Sequence, residues 1–223
     1  MAGNAPAPNA QNSSVSFNLW AIAMAIAAIA MGGAYVLDSM SRAARAAAHT
    51  LDTQAVLTRT LGGRDLQIPR AWFRYEEQAA EGFAKQIELR LTLPLGINGG
   101  QERVDVTLLP RSRARPSAAL LDGVYLHQFE AEQLSGPPGL VGKPLKPTDG
   151  YEKETVWYDA LSADPFVAKC SRLREDAQDA QCLRTVYLAP GIAAIFAFPE
   201  KVLPNWKSFD PLLRERMLRI GAL

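Results

Sequence analysis

No acidic or basic side chain occurs in this sequence before Asp38; all 24 Lys and Arg and all 23 Asp and Glu residues lie at or beyond it. Inside the charge-free stretch, Phe17 to Leu37 reads FNLWAIAMAIAAIAMGGAYVL, a run of 21 residues. A helix of that length rises about 31 Å, close to the roughly 30 Å hydrocarbon core of a bilayer. Trp20 and Tyr35 stand near its ends, where amphipathic rings favour the membrane interface. A buried helix of a soluble protein is disfavoured by the length and the missing charges. A cleaved signal peptide would want basic residues ahead of a shorter apolar run. The sequence therefore predicts a single-pass transmembrane helix over 17–37, with the lipid bilayer as its partner. Residues 1–16, small and polar with Pro6 and Pro8, are predicted to form a disordered tail.

Small residues recur at four-residue spacing in the anchor, Ala21 with Ala25 and Ala28 with Gly32. Such pairs let two helix backbones approach closely and make a homodimer one open reading. Chance pairing in an Ala-rich helix is the other. Asp38 to Leu61 then lacks Pro and Gly, and Met40, Ala44, Ala47 and Leu51 follow a 3-4 spacing. This pattern predicts a helical stalk or linker over 38–63, ended by Gly62-Gly63. The folded domain is expected over 64–223.

Beyond Leu66 the hydrophobic period changes to two. Gln86 to Leu93 alternates polar and aliphatic without a fault, the mark of a half-buried strand, and Arg103 to Leu108 alternates again. Pro94 and Gly99-Gly100 turn the chain between them, so the two are expected to pair. Further strands are predicted at Asp65–Ile68, Ala71–Tyr75, Val124–Ala131, Glu154–Tyr158 and Leu183–Leu188. Ile192 to Phe198, apolar on both faces, should lie near the centre of the sheet. Ser135 to Gly150, crowded with Pro and Gly, reads as a long loop. A C-terminal amphipathic helix is predicted with Asp210 as cap, Pro211 at its first position, and Phe209, Leu213, Met217 and Ile220 on one face. The expected fold is α+β, mainly antiparallel sheet with that helix packed on it.

A formal charge of +1 argues against a nucleic-acid partner. Phosphate-binding loops, nucleophile elbows and metalloprotease motifs are absent from the sequence. Of the two histidines, His49 lies in the stalk; His127 falls in a predicted strand on the side of Tyr125 and Phe129, where an ordinary strand residue outweighs a catalytic base. Glu76 and Glu77 are adjacent, so in a strand they point apart and make a poor acid/base pair. Arg111, Arg113 and Arg115 form a basic loop that reads first as solvated, with anionic lipid or an acidic partner as the alternative. No catalytic, cofactor-binding or metal-ligating residue is assigned.

Cys170 and Cys182 enclose eleven residues, a highly polar segment, between strand-like flanks. A disulfide at the base of a hairpin is expected, worth roughly 3 kcal/mol in the chain-entropy model; two buried thiols are the alternative. The succession Leu66-Gln67-Ile68-Pro69, Trp72 to Tyr75, Leu89-Arg90-Leu91, Leu93-Pro94, Gly150-Tyr151, Trp157-Tyr158, Phe166 to Cys170, Cys182-Leu183-Arg184 and Trp206 resembles a group of uncharacterised bacterial proteins. Those proteins carry one N-terminal membrane helix and an extracytoplasmic domain. The resemblance implies location and architecture, and it brings no activity, cofactor or catalytic residue.

Orientation is contested. Arg42 and Arg45 follow the anchor and favour a cytoplasmic domain. The cysteine pair favours an oxidising compartment, and the resemblance points outward too. The expectation is a bacterial inner-membrane protein with a periplasmic domain, acting as a non-enzymatic binding module for an envelope protein or the cell-wall region. The alternative is a membrane-anchored enzyme, or an accessory subunit of one.

Overall fold

The structure is a computed structural model that describes Trp20, Met24 and residues 31–40, 55–147, 154–171 and 180–223. The chain divides into two compact units, Met1–Asp52 and Thr53–Leu223. In the first, Trp20, Met24 and residues 31–40 are helical. Among the described residues no helix is long and apolar enough to cross a membrane. Most of the 17–37 run lies outside the described residues, as do the predicted tail 1–16, Ala21, Ala25, Ala28, stalk residues 41–54 and His49.

The second unit is α+β, with a small three-stranded sheet and a large antiparallel one. In the small sheet, β1 (Val56–Leu61) pairs antiparallel with β2 (Arg64–Pro69) and parallel with the two-residue β3 (Gly82–Phe83). The large sheet contains β4 (Ile87–Leu93), β5 (Glu102–Pro110), β6 (Val141–Pro144), β7 (Glu154–Tyr158), β8 (Val167–Ser171), β9 (Gln181–Tyr187) and β10 (Ile192–Pro199). Its order is β4-β5-β10-β9-β8-β7-β6, and every neighbouring pair is antiparallel. A helical run crosses one face as α1 (Ser117–Leu120), a π-helical segment (Leu121–Tyr125) and α2 (Leu126–Gln128). The chain closes with α3 (Trp206–Arg219) on the other face.

Period-two patterning sets what each face meets. Leu89, Leu91, Val104, Val106, Phe196 and Phe198 join Phe209, Leu213 and Met217 of α3 in the main core. Val156 and Val167 point the opposite way, to Leu121 and Tyr125. Both edges of the large sheet are occupied. Beyond β4, Phe73 bridges Leu89 and Arg74 donates its N–H to Glu88 O at 2.9 Å; beyond β6, Leu134 bridges Gly142 and Phe129 bridges Leu145. Covered edges remove the exposed ladder on which sheets aggregate.

Several expectations are corrected. The helical stalk does not reach Leu61, because Val56–Leu61 is β1 and the fold begins before residue 64. Val56, Thr58 and Thr60 are β-branched, and Gly62 and Gly63, at φ 59° and 81°, make the turn of a β-hairpin that fully buries Leu61. Ala71–Tyr75 is not a strand: Arg70–Trp72 is a 3₁₀ turn, and only Phe73 bridges the sheet. Val124–Ala131 is not a strand either, since residues 117–128 are helical and bury Leu121 and Tyr125 at i,i+4 spacing.

The Pro- and Gly-rich segment contains β6. Its glycines make room for an indole, because a Cβ on Gly136 or Gly142 would run into the Trp157 ring. An edge strand also tolerates Pro144. The C-terminal helix starts at Trp206, so Asp210 and Pro211 lie inside it rather than at its N-terminus. The expected apolar face holds, with Phe209, Leu213, Met217 and Ile220 all buried.

The β1–β2 turn meets the β9–β10 turn backbone to backbone. Gly191 has φ 91°, and a Cβ there would lie 2.9 Å from the Gly62 carbonyl oxygen. Gly191→Ala should therefore cost about 1–3 kcal/mol, through the left-handed backbone and the lost close approach. Urea unfolding of the two proteins measures it, and equal midpoints would contradict the packing.

Candidate binding site

β9 carries the polar groups that distinguish this domain from a plain sheet-and-helix core. Its alternation aims Arg184 and Val186 at α3, and Leu183, Thr185 and Tyr187 at the opposite face. Arg184 is 6% exposed. Its Nε and Nη2 donate to the two carboxylate oxygens of Asp210 at 3.0 and 2.6 Å, and Nη1 donates to Val167 O at 3.3 Å. The guanidinium lies 4.6 Å from the centre of the Phe166 ring. A bidentate, ring-stacked arginine is the geometry in which a buried cation is best satisfied.

Beside this pair, α3 and the sheet leave a cavity of about 380 Å³ whose lining includes Val186, Leu188, Phe196, Leu213 and Met217, with Arg184, Asp210 and Arg214 among its polar groups. Mostly apolar walls with a few oriented charges suit an apolar group that carries a polar end.

A second cavity, about 460 Å³, adjoins the cysteine pair and is lined by Glu130, Glu154, Glu200, Leu145 and Cys170 among others. Lys169 Nζ donates to Glu154 Oε1 at 2.7 Å, and Trp157 Nε1 donates to Glu200 Oε1 at 3.2 Å. Glu154 Oε2 is buried without a hydrogen bond. Among the described residues no group of three or more His, Cys, Asp and Glu is placed to hold a metal ion.

The outer face of β4 and β5 carries a charged ladder. Asp105 accepts from Arg90 Nε at 2.9 Å and lies 3.3 Å from Arg74 Nη1. The hydrogen bond to Asp105 raises the Arg90 pKa above its ordinary value.

The residues singled out in the sequence do not converge on one site. Cys170 and Cys182 form a disulfide between directly opposed positions of β8 and β9, both buried. His127 is exposed on α2. Glu76, in a 3₁₀ turn with Glu77, pairs instead with Arg70 at 2.9 Å. Arg111 stacks on Tyr187, with its guanidinium carbon 3.9 Å from the ring centre, and Arg113 Nη1 donates to Lys85 O at 3.4 Å. The Arg184–Asp210 pair is not legible in the sequence. Its members stand 26 residues apart, and the one sequence signal was an arginine on the inward side of a strand. Comparison with known protein families, with curated proteins and with solved structures found no match to this chain.

Asp210→Ala leaves Arg184 buried and uncompensated. The expected loss is about 3 kcal/mol, at the low end for broken buried pairs because Asp210 is half exposed. Adding Arg184→Met should restore most of it, and chemical denaturation of the three proteins compares them. A double variant no better than Asp210→Ala would contradict this role for the pair.

Proposed function

We propose that the chain is a membrane-anchored envelope protein whose second unit is a non-enzymatic binding module exposed to the periplasm. The observation that carries this reading is the buried Cys170–Cys182 disulfide, which belongs to an oxidising compartment, downstream of a charge-free run long enough to span a bilayer. The charge-free run supports anchoring through 17–37, and the cavities beside α3 and beside the disulfide offer places for a partner's side chains. That partner is another envelope protein, the cell-wall region or a second copy of the chain.

Arg42 and Arg45 argue for the opposite orientation. The asymmetry is two arginines against one α-amine, with Asp38 working against them, and the disulfide outweighs it. Alkaline phosphatase fused after Leu223 decides the matter, since it is active only when exported. An active fusion is expected; an inactive one places the domain in the cytoplasm and makes the arginines right. The competing reading, an enzyme or accessory subunit using His127 as its base, predicts that His127→Ala fails to rescue a gene-deletion phenotype. Full rescue is expected here.

A further inference from the structure

β8 and β9 are hydrogen-bonded neighbours over only half of β9. Lys169, Cys170 and Ser171 pair with Leu183, Cys182 and Gln181, while β9 runs on to Tyr187 with β10 as its one strand partner. Leu188 donates its N–H to Ile192 O at 3.1 Å, so even-numbered backbone groups of this strand bond toward β10 and odd-numbered ones face the other way. Thr185 agrees, because its N–H donates to Ser117 Oγ at 2.8 Å, a side chain standing where a strand would be. The Thr185 carbonyl and both backbone groups of Tyr187 therefore face a cleft of about 340 Å³, whose lining includes Pro116, Ala119, Asp164 and Pro165. No strand among the described residues pairs with them there.

Basic charge borders one side of this opening. Tyr187, itself part of the cleft wall, carries the stacked Arg111 guanidinium, and its hydroxyl donates to Ala114 O at 3.0 Å. These contacts fix the turn that presents Arg111, Arg113 and Arg115, immediately ahead of Pro116. Among the described residues, Asp164 is the one carboxylate that lines the cleft. An open run of strand backbone near Arg111 and Arg115, with Arg113 turned to the Lys85 carbonyl, is suited to an extended chain bearing acidic side chains.

We propose that this cleft receives an extended acidic segment of a partner protein, which adds a short strand to β9 at Thr185 and Tyr187 and sets its carboxylates against Arg111 and Arg115. The inference rests on the binding-module reading and names where and what that module binds. Backbone hydrogen bonds supply the docking, and the arginine turn supplies the selectivity.

The test uses the full chain in detergent micelles and an array of random octapeptides. Bound peptides should be enriched in Asp and Glu next to β-branched residues. Methylating the backbone nitrogens of a selected peptide should weaken binding at least tenfold. Ala119→Trp, a change at an exposed helical position lining the cleft, should do the same. Arg111→Glu with Arg115→Glu should shift the preference toward basic peptides, and this arm stands even if Ala119→Trp does not fold. Absence of binding, a preference without acidic residues, or indifference to N-methylation would overturn the proposal. An active phosphatase fusion with no peptide binding sinks this inference alone, whereas peptide binding with an inactive fusion sinks the periplasmic reading alone.

Discussion

Phe209 is the contact on which the second unit turns. Its ring meets Phe196 and Phe166 edge-on, both at 5.9 Å between centres, and Phe198 at 4.5 Å. One helical side chain thereby engages β10 and the segment leading into β8, burying aromatic area that dominates a core of this size. The next residue, Asp210, clamps β9 through Arg184. Two consecutive positions of α3 thus hold three neighbouring parts of the sheet, and the remaining strands assemble outward from them.

The sheet is tied unevenly around that centre. The disulfide joins the middle of the three opposed β8–β9 pairs; beyond Leu183 the strands separate and Ser117 occupies part of the gap. The covalent tie and the Phe209–Asp210 clamp stabilise the arrangement and leave the end of β9 paired with β10 but without a strand on its other side. Strand edges of this kind are usually covered, as they are at β4 and β6 in this same sheet, so the uncovered stretch stands out as a place for a partner.

Legibility in the sequence followed how local the determining interaction is. β4 and β5 declared themselves because alternation alone fixes which side chains enter the core, and the α3 face did so through its 3-4 spacing. β1 reads as helix in the sequence because it continues an Ala-rich, Pro-free stretch. Its strand state depends on the turn at Gly62-Gly63 and on pairing with β2. Part of the 117–128 helical run reads as a strand in the sequence because Val124, Tyr125 and Phe129 are strand-favouring types, whereas the contact that decides the matter, Leu121 and Tyr125 against Val156 and Val167, is long-range. β6 is hidden because Gly142 within it and Gly136 ahead of it serve Trp157, fifteen residues beyond Gly142. The disulfide was legible from two cysteines between strand-like flanks. The open edge of β9 was not, because it exists only through where β8 stops.

The state of Cys170 and Cys182 in the cell bears most directly on this account, because both the architecture of the β8–β9 pair and the periplasmic reading rest on it. Cells are quenched in acid, and the denatured protein is treated with a thiol-reactive mass tag with and without prior reduction. The account predicts no tag before reduction and two after it, since the chain has two cysteines. Two tags without reductant would mean that the thiols are free and would contradict the account.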